Sequence, residues 1–248
     1  MTNSIKLEVI DRCIARVILE DRESNNTFTP RFVQGLQEVF TEINKNNYIK
    51  VVVVHGYGNY FCCGGSRLEL LKISSGEITF DQLNFYRLLL DCKVPVISAM
   101  QGHAIGGGLV FGSYADIILL AKESIYSTNF MKYGFTPGMG ATFIIPHRFG
   151  NSLGSEMLYT ASNYYGNTLS KRGVPFTVLE KNSVIDAALH MAEGLAEKST
   201  VALTLLKSKL SASIVTDLPS YVQQELDMHD TCFVHTDIEH NIKRLYEN

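Results

Sequence analysis

Two glycine-rich turns carry the clearest chemical potential in the sequence. The first is Gly56-Tyr57-Gly58-Asn59-Tyr60-Phe61-Cys62-Cys63-Gly64-Gly65 and the second is Gly106-Gly107-Gly108. Backbone N–H groups exposed after a buried strand, at a helix N-terminus, bind an anion or a carbonyl oxygen that turns negative during reaction. Glycine also simply permits tight turns and close packing, so both readings stay open on glycine alone. Neither turn is a phosphate loop: no Gly-Lys-Ser/Thr follows Gly108, and no G-x-G-x-x-G opens a helix. Two side chains could add charge and a proton. Lys72 stands seven residues beyond Gly65, and is either a solvated surface charge or a cation for an anionic substrate. His229 interrupts the apolar series Val222, Leu226, Phe233 at i, i+4, i+7, i+11, which predicts an inward-facing imidazole. It is either a hydrogen-bonded core histidine or a proton donor of near-neutral pKa.

The elements that must position these groups follow from the hydrophobic pattern. Ile5 to Ile10 and Cys13 to Leu19 read as two strands joined at Asp11-Arg12. Thr29-Pro30 opens a helix in which Phe32, Val33, Leu36, Val39, Phe40 and Ile43 recur at helical spacing. Lys50 to Val54 is a β-branched run of the kind found in strands covered on both faces, implying a central parallel sheet. Then come the first glycine turn, a helical zone to about Cys92, a strand Pro95 to Met100, the second glycine turn and a strand Asp116 to Ala121. This alternation predicts an α/β fold. Amphipathic runs at Val184 to Leu195, Val201 to Leu210 and Leu218 to Phe233 predict a helical C-terminal part. The division expected is a core over 1–190 and a helical region over 191–248.

Composition narrows the partners. The 248 residues are 46% hydrophobic and 19% charged, with Lys+Arg 22 against Asp+Glu 25, a formal charge of −3. That balance gives no footprint for nucleic acid and no basic anchor for a membrane. Met1 to Leu7 lacks the apolar stretch of a secretory signal, and Val96 to Ala121 is broken by Gln101, His103, five glycines and Asp116. Five cysteines without metal-ligand spacing fit a reducing compartment, so a cytoplasmic location is expected, with no metal.

The Gly56–Gly65 string resembles the first oxyanion segment of the crotonase, or enoyl-CoA hydratase/isomerase, superfamily. Lys93-Val94-Pro95-Val96-Ile97-Ser98-Ala99-Met100-Gln101-Gly102-His103-Ala104-Ile105-Gly106-Gly107-Gly108 resembles its second, and Pro137-Gly138-Met139-Gly140-Ala141-Thr142 its proline-glycine turn. The resemblance spans nearly the whole chain. It implies a crotonase-like spiral ββα core, a helical C-terminal trimerisation region, and thioester substrates on coenzyme A or an acyl carrier protein. The N–H groups of Gly65 and Gly107 are then expected to polarise the thioester carbonyl. No separate cofactor is implied.

The same comparison exposes a loss. Hydratases of the family place glutamates at the positions of Val110 and Phe130, and neither side chain here can deliver water or shuttle a proton. Ala141 stands where dehalogenase-like members have an aspartate. Glu69 is the remaining nearby acid, and reads more readily as a solvent-facing helix charge. An oxyanion hole without a carboxylate base suits decarboxylation, in which the substrate supplies its own leaving group and the enolate charge collects on the thioester oxygen. Losing both glutamates also removes repulsion against a substrate carboxylate.

With Lys72 and His229 as catalytic candidates, the chain is similar to the decarboxylating enoyl-CoA-hydratase-like proteins of polyketide β-branching cassettes. That likeness implies conversion of a 3-methylglutaconyl thioester on an acyl carrier protein to the 3-methylcrotonyl form. It also implies a homotrimer or a dimer of trimers. Docking of an acidic carrier is expected through Arg22, Arg31 or Lys6. Two alternatives remain: a hydratase or isomerase using an acid such as Glu69, and a non-catalytic carrier-binding homologue.

Overall fold

The computed structural model describes residues 4–78, 84–235 and 237–246. Among the described residues, ten strands form two sheets. They are β1 (Ile5–Ile10), β2 (Ile14–Leu19), β3 (Val51–His55), β4 (Tyr60–Cys62), β5 (Val96–Met100), β6 (His103–Ile105), β7 (Ile117–Ala121), β8 (Ile125–Ser127), β9 (Tyr164–Tyr165) and β10 (Thr177–Leu179). The larger sheet runs β1-β2-β3-β5-β7-β10 and the smaller β4-β6-β8-β9. β1 and β2 form the expected antiparallel hairpin, and β2, β3, β5, β7 and β10 pair in parallel.

The valine run explains the layering. Successive side chains of β3 point to opposite faces of the sheet. Val51 and Val53 join Ile97, Ala99 and Leu119 against Val184, Ala188 and Ala192 of the helix at Lys181–Ala196. Val52 and Val54 join the other core, with Phe32, Leu36 and Phe40 of the helix at Pro30–Lys45. Thr29 caps that helix by accepting the Phe32 N–H, as the Thr-Pro signal predicts.

The helices, in chain order, are α1 (Pro30–Lys45), α2 (Arg67–Ser74), α3 (Leu88–Asp91), α4 (Gly107–Ser113), α5 (Ala141–Phe149), α6 (Asn151–Thr160), α7 (Gly166–Lys171), α8 (Lys181–Ala196), α9 (Thr200–His235) and α10 (Ile238–Tyr246). The unit long strand, short strand, helix repeats as β3-β4-α2 and β5-β6-α4, which is the expected ββα spiral. Because β4 and β6 are neighbours in the small sheet, the turns leading from them into α2 and α4 lie side by side. The active-site geometry rests on that adjacency.

Two boundaries differ from the sequence reading. The runs at Val201 to Leu210 and Leu218 to Phe233 belong to one helix, α9, which continues through Pro219. Burial of Ile214 and Leu218 on the turns leading into the proline holds the helix where a missing N–H would otherwise break it. The 190/191 division falls inside α8, whose buried face packs on the large sheet. The 79–83 part of the expected helical zone lies outside the described residues.

Candidate active site

The two glycine turns meet backbone to backbone. Gly64 has φ +76°, and a Cβ there would stand 2.6 Å from the Ile105 carbonyl oxygen and 3.1 Å from the Gly107 nitrogen. A Cβ on Gly108 would stand 2.1 Å from the Cys62 carbonyl oxygen. Only glycine permits both approaches. The first turn is fixed from behind by the Phe28 N–H, which donates to the Gly64 carbonyl at 2.8 Å. Cys62 and Cys63 fill space there: the Cys62 thiol donates to the Asn26 carbonyl, and burial pushes the Cys63 thiol up to about 11.

Gly65 and Gly107 line one small cavity of about 40 Å³, with Phe28, Glu69, Leu70, Ile73, Phe130 and Met139. As the first residue of α4, Gly107 carries one of the amides a helix leaves without an intrahelical acceptor. The volume suits a few water-sized groups, such as a thioester carbonyl with its flanking atoms. Met139 reaches it from the Pro-Gly turn in a left-handed conformation, φ +65°, with its carbonyl held by the Tyr114 hydroxyl at 2.7 Å.

Phe130 is 5% exposed and forms an aromatic wall, meeting Phe135 edge-on at 6.2 Å. Val110 is fully buried in the core one turn along α4 from Gly107. Neither apolar position brings a carboxylate to the cavity.

Glu69 does, and this corrects the sequence reading of a solvent-facing charge. It is 8% exposed and shares the cavity lining with both glycines. Ser66 is the N-cap of α2, and its Oγ accepts the Glu69 N–H at 3.3 Å while the hydroxyl donates to the Glu69 carboxylate. The Ser-x-x-Glu spacing before the helix is a capping signal, and it could have placed this acid against the glycine turn.

α2 is therefore a partition. Glu69, Leu70 and Ile73 face the small cavity, whereas Leu68, Leu71 and Lys72 face an outer chamber of about 470 Å³ that is open to solvent and also lined by Phe233, Asp237, Ile238 and Glu239. Lys72 is partly exposed there, its Nζ 4.0 Å from Glu77.

His229 is buried, as the stripe predicts, and its Nε2–H donates to the Thr136 carbonyl at 2.8 Å. Its ring stacks on Phe233 at 5.4 Å and meets Phe135 edge-on at 6.4 Å. Burial lowers its pKa, against the opposing pull of the Thr136 and Pro137 backbone. The aromatic series Phe130, Phe135, His229, Phe233 thus runs from the small cavity to the outer chamber.

The histidines near the turns are structural. His55 accepts from Arg16 Nε at 2.9 Å and holds the Gly56 carbonyl at 2.7 Å, while His103 Nδ1 accepts the Ile125 N–H at 3.0 Å. Phe85 packs edge-on against Phe28 at 4.6 Å, behind the cavity wall. Of the expected docking cations, Lys6 and Arg22 share Glu20 at 2.5 and 2.6 Å, and Arg31 lies 3.8 Å from Glu23; all three are well exposed. Among the described residues no group of three or more His, Cys, Asp or Glu could hold a metal ion, and no helix is long and apolar enough to cross a membrane.

The chain resembles known proteins over its whole length. The chain is 47% identical to the bacillaene synthase decarboxylase PksI of Bacillus subtilis (strain 168), over the full length of both. A solved structure from a dehydratase/decarboxylase enzyme couple involved in polyketide β-branching superposes with TM-score 0.97 at 46% identity, covering 99% of this chain and 100% of that one. The ECH2 decarboxylase domain of CurF from Lyngbya majuscula superposes with TM-score 0.93 at 36% identity, covering 98% and 100%. The enoyl-CoA hydratase/isomerase family pattern matches residues 10–248, and the chain belongs to that family.

Proposed function

We propose that this protein is a lyase that decarboxylates a 3-methylglutaconyl thioester, carried on an acyl carrier protein, to the 3-methylcrotonyl thioester in polyketide β-branching. The observation that carries the reading is the cavity lined by Gly65, Gly107 and Phe130, where an aromatic ring takes the place of a hydratase glutamate and the acid present, Glu69, is engaged by Ser66. Three similar proteins that are decarboxylases or belong to a dehydratase/decarboxylase couple support it.

The N–H groups of Gly65 and Gly107 bind the thioester oxygen. The bond to the carboxylate breaks, carbon dioxide leaves, and its electron pair moves into a dienolate whose charge rests on that oxygen. One proton taken up from solvent is then delivered to carbon. Removing one such donor from an oxyanion hole typically costs about 3 kcal/mol. Lys72 takes the substrate carboxylate and His229 returns the proton; the adjoining outer chamber and the aromatic series that links it to Phe130 support these assignments. No separate cofactor enters the scheme.

Glu69 favours a second reading, in which a single acid serves a hydratase or isomerase. Its engagement by Ser66 and the lack of a partner acid at Val110 or Phe130 weigh against that. Mass spectrometry of a 3-methylglutaconyl carrier protein, run in heavy-oxygen water, separates the two. Loss of carbon dioxide without solvent oxygen in the product is expected; retained carbon dioxide, or oxygen uptake, overturns the proposal.

A homotrimer, or a pair of trimers, is supported by Val201, Leu205, Leu206 and Leu210 on α9, each more than half exposed. Five free cysteines support a cytoplasmic site of action.

A further inference from the structure

We infer that Glu225 is a positioning residue of the active site, holding the Gly140–Thr142 turn so that Met139 presses on Gly107. The inference rests on Gly65 and Gly107 being the carbonyl-binding pair.

Glu225 lies on α9, far from the glycine turns in sequence, and is 1% exposed. A carboxylate is buried at such cost only when it is fully hydrogen-bonded. Its Oε2 accepts the Gly140 N–H at 2.6 Å, and its Oε1 accepts the Thr142 N–H at 2.8 Å and the Thr142 hydroxyl at 2.6 Å. These amides open α5, whose N-cap, Gly140, has no side chain to cap the helix. Glu225 performs that capping from a different helix, at the end of α5 that favours negative charge.

The consequence reaches the cavity through Met139. This residue and Gly140 are consecutive left-handed positions, φ +65° and +74°. For a methionine that conformation is strained and persists only where neighbours enforce it. Two clamps do so: Glu225 after the turn and Tyr114 on the Met139 carbonyl. Held this way, the Met139 sulfur lies 2.8 Å from where a Cβ on Gly107 would stand, beside the Phe28 ring at the same distance. Met139 thus forms the lid over the Gly107 backbone. Slackening the clamp loosens the surface against which the thioester oxygen is oriented.

The experiment pairs Glu225→Gln with Thr142→Val, in enzyme labelled with ¹³C at the methionine methyls, the Met139 signal being assigned with Met139→Leu. Glu225→Gln keeps the side chain's shape but turns an NH₂ toward one of the three donors. The expected result is a displaced Met139 methyl resonance with kcat for carbon dioxide release down at least fivefold and KM within twofold. Thr142→Val, which removes one donor, should move both in the same direction by a smaller amount, and decides the matter if Glu225→Gln does not fold. An unmoved Met139 resonance, or a fall in melting temperature with kcat intact, overturns the inference. If the parent enzyme releases no carbon dioxide, the decarboxylase reading fails, and the resonance alone decides the role of Glu225.

Discussion

The Ser66 hydroxyl and the Glu69 carboxylate close on each other at the first turn of α2, within the wall of the cavity that Gly65 and Gly107 line. An acid so placed is in reach of substrate but already engaged. Proton transfer by a positioned side chain is commonly worth a hundredfold or more. Under the decarboxylase reading Glu69→Gln therefore keeps the rate of carbon dioxide release within about threefold. A loss of a hundredfold in single-turnover assays would make Glu69 the proton carrier and end the base-free mechanism.

Lys72 lines the outer chamber and His229 lies within the aromatic series, and neither lines the glycine cavity. Lys72→Ala and His229→Ala are each expected to slow turnover by about tenfold or more with the fold intact, as for a charge-stabilising or proton-transfer group. The two should separate in kind. Lys72→Ala raises KM as well, through the lost carboxylate partner, whereas His229→Ala lowers kcat alone. Circular dichroism and steady-state kinetics check both, and parental rates would withdraw both roles.

A second acid in the cavity, free of the Ser66 contact that engages Glu69, tests the repulsion argument. Phe130→Glu places a carboxylate where the family's hydratases have one, beside a substrate that carries its own. Like charges within a few ångströms repel by several kcal/mol at the dielectric of a protein surface. Carbon dioxide release is expected to fall by tenfold or more. Hydration should not appear, because Val110 still supplies no second acid; solvent oxygen in the product would contradict that.

Burial lowers the pKa of His55 and His229 and pushes Glu225 up to about 7, and the two effects act oppositely on stability. For the histidines, the stabilisation is complete above the ordinary value of 6.5 and is lost as pH falls through the depressed folded values. Glu225 stabilises fully below the ordinary 4.5, and that contribution is lost as pH rises through about 7. Melting temperature followed from pH 5 to 7 should therefore rise less in His55→Asn than in the parent, and more in Glu225→Gln. Parallel curves for all three would show that these groups titrate normally.

Much of this arrangement was legible in the residues. The Val51–Val54 run announced a strand covered on both faces, and the two glycine turns announced the place where β4 and β6 bring α2 and α4 together. The smaller sheet was not, because strands of two or three residues such as Tyr164–Tyr165 are too short to show a period. Nor was the passage of α9 through Pro219, which local propensity forbids and burial of Ile214 and Leu218 overrides. Glu69 carried a local signal, the Ser66-x-x-Glu69 capping spacing, whereas Glu225 carried none: it reads as solvated in one dimension, and only Gly140 and Thr142, which meet it in space, explain its burial.

The glycines themselves offer the sharpest separation of packing from chemistry. At Gly108 an added Cβ would meet the Cys62 carbonyl oxygen at 2.1 Å, a backbone atom held in β4 that cannot yield. At Gly107 the nearest atoms, at 2.8 Å, are the Met139 sulfur and the Phe28 ring edge, both ends of side chains. Gly108→Ala is therefore expected to lower the melting temperature by several degrees, corresponding to an overpacking cost of about 1–3 kcal/mol. Gly107→Ala should melt close to the parent yet lose about tenfold to a hundredfold in kcat, since displacing Met139 shifts the surface around one of the two carbonyl-binding amides. If Gly107→Ala proves fully active, the cavity beside it is a packing detail and the thioester oxygen binds elsewhere.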